Sequence, residues 1–140
     1  MSAAPYPAGL LRRLAAAVYD MFLLVGVWMM SVFALLPFTD GRALDGSSPV
    51  FRLYILFVPF LLFGWFWTHG GQTLGMKAWR MRIRRTDGSP VDWRYAALRY
   101  LGAWLAWLSV VGIIWIAIDP QRRGLQDWIS DTETVVEPPQ

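Results

Sequence analysis

The chain has 140 residues, of which 56% are hydrophobic and 16% charged, with a formal net charge of +3 and no cysteine. That length suits one modest domain, and a water-soluble domain of this size would struggle to hide so much apolar surface. Disulfides, thiol nucleophiles and thiolate metal sites are excluded. The excess positive charge lies beside apolar runs, which points to membrane orientation and anionic lipid rather than to nucleic acid.

A Pro/Ala-rich N-terminal tail, 1–13, ends at Arg12 and Arg13. Residues 14–36 then carry a single charge, Asp20. At about 1.5 Å of rise per residue they can cross the roughly 30 Å hydrocarbon layer. The run is too long for an ordinary signal-peptide core. A polar linker, 37–49, holds Arg42 between Asp40 and Asp45. The second span covers 50–68, with Arg52 near its start, where a long side chain can snorkel to the interface. Pro59 removes a backbone donor in this span and should free a carbonyl near Ile55.

The second linker, 69–95, carries Lys77, Arg80, Arg82, Arg84, Arg85 and Arg94. By the positive-inside tendency it belongs in the cytoplasm with the N-terminus, and the first linker belongs outside. From Trp79 to Arg84 apolar and basic residues alternate. This predicts a strand with Trp79, Met81 and Ile83 on one side, and Arg80, Arg82 and Arg84, followed by Arg85, toward lipid headgroups. Asp87-Gly88 marks a turn, and Asp92 is placed to cap a helix from Trp93. Trp65, Trp67, Trp93 and Tyr95 fall at the expected cytoplasmic boundary as interfacial anchors.

The third apolar stretch, 96–118, carries only Arg99. Its length favours one straight span. A re-entrant hairpin breaking near Ser109 to Gly112 would instead return Arg122 and Arg123 to the cytoplasm, provided surrounding protein satisfies the exposed backbone. The β-prone tail Thr132 to Val136 could then pair with the basic strand.

Asp20 lies some six residues into the first span, and an ionisable group at a helix centre costs about 2.5–3.5 kcal/mol on insertion scales. It should face protein, find a partner or become protonated. Arg13 shares its helical face but stands about two turns away, so Arg99 is the better geometric partner. Small residues at Ala16 and Ala17, and at Gly102, Ala106 and Ser109, would let those two helices approach closely. Such a pair reads first as a packing clamp and second as a titrating ion or proton site. Other motifs fail. Gly70 to Lys77 lacks the spacing and hydroxyl of a phosphate loop. His69 is the single histidine, which disfavours a histidine metal site or a Ser–His triad. Asp119, Asp127, Asp131 and Glu133 read as surface charge on the tail. No catalytic residue, metal site or cofactor is expected, and the chain is not read as an enzyme.

Three segments, in this order and spacing, carry a resemblance across nearly the whole chain: AGLLRRLAAAVYD (8–20), GGQTLGMKAWRMRI (70–83) and DPQRRGLQDWISDTETVV (119–136). Together they resemble the RDD family of small bacterial membrane proteins. That family is named for an arginine at the start of the first span, an aspartate within it and a later aspartate. The resemblance places these on Arg13, Asp20 and Asp127, with Asp119 as the second claimant for the last. Gln72, Thr73 and Gly75 resemble the family's central motif. The tail departs from the family's small residue–Gly–Thr pattern, with Ser130-Asp131-Thr132-Glu133 standing before its valines, and Gln126 stands where a histidine is frequent. Transport is the function usually suggested for the family.

The fold expected is an all-α membrane protein with three apolar helical segments and a short cytoplasmic β-like segment. A tail 1–13, a membrane domain 14–136 and a tail 137–140 divide the chain. The expected location is the bacterial inner membrane, multi-pass, with a cytoplasmic N-terminus. Cation- or proton-coupled transport as a homo-oligomer, or with a partner membrane protein, is the leading function. Asp20 would titrate under the influence of Arg13 or Arg99. A membrane interaction module that binds a protein partner or anionic lipid is the alternative.

Overall fold

The computed structural model describes residues 4–42 and 45–139. Helix α1 runs from Leu10 to Leu35 and passes into a 3-10 turn, Leu36–Thr39, with Pro37 near its start. Helix α2, Pro49–Thr68, starts as its sequence dictates. Ser48 caps it by accepting from Val50 N, and Pro49 takes the first helical position, where no N–H is needed. Both helices are long and apolar enough to cross a membrane. Their outward faces present Phe22, Met30, Phe33, Leu53, Phe57 and Leu61. Water would penalise such faces, whereas lipid tails do not.

The third stretch is not straight. Helix α4, Trp93–Leu108, and helix α5, Val110–Ile118, meet at Ser109 with a bend of 102°. This overturns the expectation of a straight span and is consistent with the re-entrant alternative. Ser109 adopts an extended backbone, and its hydroxyl donates to the Leu105 carbonyl at 2.6 Å, competing locally with helix continuation. Gly112 lets the two arms close, since a Cβ there would sit 2.5 Å from Ala106 Cα. Asp92 caps α4 by accepting from Arg94 N and Tyr95 N, as its position in the sequence implies.

Three short strands gather at one end of the helices. β1 (Tyr6–Pro7), β2 (Met81–Arg85) and β3 (Thr132–Val136) form an antiparallel sheet in the order β1-β3-β2. Met81 faces Val136 and Arg85 faces Thr132. The N-terminal arm, the second linker and the C-terminal tail therefore share one end of the molecule. A single crossing by the third stretch would have separated the last two.

The strand begins at Met81 rather than Trp79, because Arg80 has a left-handed backbone (φ 56°) that breaks the extended run. Met81 packs with Ala8, Ala16 and Val136, while Ile83 packs with Trp67, Val91 and Ala96. Burying a side chain of this size contributes roughly 1.5–3 kcal/mol. Trp67 is thus a core residue and not an interfacial anchor, whereas Trp65 and Trp93 are exposed. Two five-residue helices complete the fold: α3, Leu74–Ala78, against α1, and α6, Leu125–Ile129, against α4.

Candidate functional site: a buried charge cluster and an apolar cavity

Asp127 stands at the third position of α6 and is fully buried. One carboxylate oxygen accepts from Arg13 Nη1 at 2.7 Å and from Gly124 N at 3.0 Å. The other accepts from Arg99 Nη1 and from Thr134 Oγ1 at 3.3 Å. Burial alone would raise this carboxyl. The two guanidiniums and the Gly124 amide outweigh it and hold the group down at about 2. The tail therefore does not carry Asp127 as surface charge. It is the hub that joins α1, α4 and α6.

The arginines are fixed from behind. Arg13 donates from Nε to the Ala8 carbonyl at 3.1 Å and from Nη2 to the Arg122 carbonyl at 2.8 Å. Arg99 donates to Thr132 Oγ1 at 3.0 Å and Thr134 Oγ1 at 3.3 Å, and lies over the Trp67 ring, 5.3 Å from its centroid. Alternate residues of β3 point the same way, so Thr132 and Thr134 reach Arg99 together. Arg123 ties the assembly to the strand by donating from Nη2 to the Thr132 carbonyl at 3.1 Å. Sequence reading missed Thr132, Thr134 and Arg123. The two threonines at alternate positions of a β-prone tail were the available signal.

Asp20 lies elsewhere. Its expected pairing with Arg99 or Arg13 does not form. Instead it accepts from Thr73 Oγ1 at 2.5 Å and from Gly75 N at 2.9 Å. Thr73 also caps α3 by accepting from Met76 N at 3.1 Å. The close approach of α3 to α1 requires glycine at position 75. A Cβ there would collide with the Ala16 carbonyl and lie 2.9 Å from Asp20 Oδ1. Gln72 donates to the Met81 carbonyl at 2.8 Å and anchors the same linker to the start of β2. The small residues also serve other partners than expected: Ala16 meets Gly75, Gly102 meets Gln126, and Ala106 meets Gly112.

Asp119 accepts from Arg123 N at 2.8 Å and shapes the turn before α6, so the aspartate of the central cluster is Asp127 and not Asp119. On the outer side of the sheet, Arg82 pairs with Glu137 at 2.5 Å and Arg84 with Glu133 at 2.6 Å. Arg85 pairs with Asp87 at 3.3 Å and lies over Tyr95. Of the four arginines expected at headgroups, these three already hold partners within the chain, and Arg80 stands exposed. Lys77 and Arg94 are exposed nearby.

Between α1, α2, α4 and α5 lies a cavity of about 470 Å³. Leu24, Phe63, Trp104 and Ile116 contribute to its apolar wall, and Arg13, Asp20, Thr73 and Arg99 reach it at the sheet end. Asp20 is thus a carboxylate that lines a cavity among the helices and receives neutral donors.

The model of the RDD family matches residues 7–131. The chain belongs to the RDD family. It is a membrane protein of that family, with apolar helices suited to the bilayer. It is also similar to the "Uncharacterized protein YckC" of Bacillus subtilis (strain 168), 30% identical over 132 residues, covering 90% of this chain and 82% of the relative. No solved structure matches. The motif residues now have physical roles. Arg13 and Asp127 form one buried ion pair, while Asp20, Thr73 and Gly75 form a separate clasp between α1 and α3.

Proposed function

We propose that this RDD protein takes part in cation- or proton-coupled transport across the bacterial inner membrane, with Asp20 as the group that exchanges the proton or cation. The difference between its two buried aspartates supports this reading. Asp127 is neutralised by two arginines, whereas Asp20 lines the cavity with neutral donors, Thr73 Oγ1 and Gly75 N–H. A carboxylate without a cation beside it in a low-dielectric region is suited to bind one. Arg13 and Arg99 act by fixing Asp127 and the sheet, not by pairing with Asp20. The exposed Lys77, Arg80 and Arg94 support a cytoplasmic N-terminus and sheet under the positive-inside tendency. Few helices surround the cavity, so a transport path is completed by a second copy or a partner membrane protein.

Cation-driven proton movement in everted vesicles tests this at matched membrane abundance. Wild type should give a signal that a folded Asp20→Asn protein lacks. No signal across a broad cation panel would remove simple cation–proton exchange. A second reading, a module that binds anionic lipid or a protein partner, is favoured by the exposed Lys77, Arg80 and Arg94. Its mark would be loss of anionic-vesicle binding or partner recovery when all three are changed to Gln.

A further inference from the structure

Helix α3 has two faces. The inner face holds Asp20: the hydroxyl of Thr73, its N-terminal cap, donates to one carboxylate oxygen at 2.5 Å, and Gly75 N–H donates to the other at 2.9 Å. On the outer face Leu74 and Trp79 are 48% and 40% exposed, and Lys77 and Arg80 stand exposed beside them. Neither Lys77 nor Arg80 forms an ion pair among the described residues.

The contact with α1 sets the level of this outer face. A Cβ at Gly75 would meet the Ala16 carbonyl and Asp20 Oδ1, so α3 crosses α1 between those residues. Ala16 lies about 9 Å along α1 from its start at Leu10. There α1 turns Val18, Tyr19 and Phe22 outward. The outer face of α3 is therefore level with the first exposed apolar turns of a helix suited to span the bilayer. Trp is favoured at such a rim, and Lys and Arg can reach headgroups from it.

Charge selects the headgroup. Glu137 N–H donates to the Arg80 carbonyl at 2.8 Å, but the Glu137 carboxylate is engaged by Arg82 at 2.5 Å. Arg80 is also held at φ 56°, a left-handed conformation that glycine would adopt without strain. The strained position presents a guanidinium without a counter-charge beside Lys77. A zwitterionic lipid brings its own cation, whereas an anionic one answers both side chains.

We propose that anionic phospholipid binds the outer face of α3 through Lys77 and Arg80, with Leu74 and Trp79 against its acyl chains, and so holds the clasp on Asp20 closed. One five-residue helix carries both sets of contacts, so lipid bound outside stabilises the hydrogen bonds inside by linkage. The proposal rests on the reading of Lys77 and Arg80 as lipid contacts and does not need Asp20 to exchange a proton.

Hydrogen–deuterium exchange on the full chain provides the test, in nanodiscs of phosphatidylcholine alone or mixed with phosphatidylglycerol. The clasp is read at the Gly75 and Met76 amides, which donate to Asp20 and Thr73. Phosphatidylglycerol should slow their exchange about three- to tenfold, with the amides of β3 as an unchanged reference. Lys77→Gln combined with Arg80→Gln should abolish that slowing and leave exchange in phosphatidylcholine as in wild type. Native mass spectrometry of the same two proteins counts retained phosphatidylglycerol, which should fall in the double variant. Retention unaffected by the double substitution would refute the lipid contact itself. Retention that falls, without any phosphatidylglycerol-dependent slowing in wild type, would keep the contact and overturn its link to Asp20. Slowing that persists in the double variant would also overturn the link.

Discussion

Arg13 Nη1 and Asp127 Oδ2 are 2.7 Å apart although 114 positions of sequence separate them. This pair draws the first helix and the last helix together beneath the sheet. Arg99 completes a triad from α4, and every oxygen of Asp127 is engaged. A charge so deeply buried is tolerable only with this full set of partners.

Asp127→Asn should therefore destabilise the protein by about 3–5 kcal/mol, since two buried guanidiniums lose their counter-charge. Denaturant or thermal unfolding in detergent micelles would measure the loss. A change under about 1 kcal/mol would mean that water or lipid reaches the arginines.

Acid should weaken the same cluster. Asp127 falls from the ordinary 3.8 to about 2 in the folded state. Its stabilisation is fully present above the unfolded value and disappears as pH falls through the folded one. The contribution is about 2–3 kcal/mol. Unfolding free energy measured between pH 5 and pH 2 should decline in wild type and hold flatter in Asp127→Asn (pH values bracketing roughly the two ionisations).

Gly75→Ala should cost about 1–3 kcal/mol, because the added methyl meets the Ala16 carbonyl and presses on Asp20. Gly26→Ala makes the contrast. Nothing lies within 4 Å of a Cβ at position 26 in α1, so this change should be neutral or stabilising by up to about 1 kcal/mol. Parallel thermal melts of the two variants would check the difference.

Asp131 stands between α6 and β3 at a backbone position that favours glycine. Its φ is 51°, a left-handed conformation that Asp tolerates better than most residues. Its carboxylate also accepts from Thr86 Oγ1 at 2.9 Å. Asp131→Gly should change stability by less than about 1 kcal/mol, whereas Asp131→Val should cost about 1–2 kcal/mol. Urea midpoints of the two variants would separate these outcomes.

Periodicity and length made the first two spans, the Asp92 cap and the pairing-prone tail legible in the sequence. The bend was legible as an alternative, a hairpin breaking near Ser109 to Gly112, but length favoured a straight span. A 23-residue apolar run reads as one crossing, and only the close packing of Gly112 on Ala106 shows why it folds back. The preference for a straight span carried over into the site. With the third stretch straight, Arg99 could look only toward Asp20. Once it turns back, α6 and β3 return beside α4 and deliver Asp127, Thr132 and Thr134 to Arg99. The RDD resemblance pointed to Arg13, Asp20 and Asp127. It did not reveal that they divide between two separate contacts.

The claim that Asp20 exchanges a proton or cation is tested most directly by infrared difference spectroscopy on the reconstituted protein, comparing states with and without the driving cation. A protonated-carboxyl band that appears when the cation is withdrawn, and is absent in Asp20→Asn, is the predicted result. A carboxyl spectrum that does not respond to the cation, or a band that persists in Asp20→Asn, would contradict it and leave Asp20 as the clasp that holds α3 to α1.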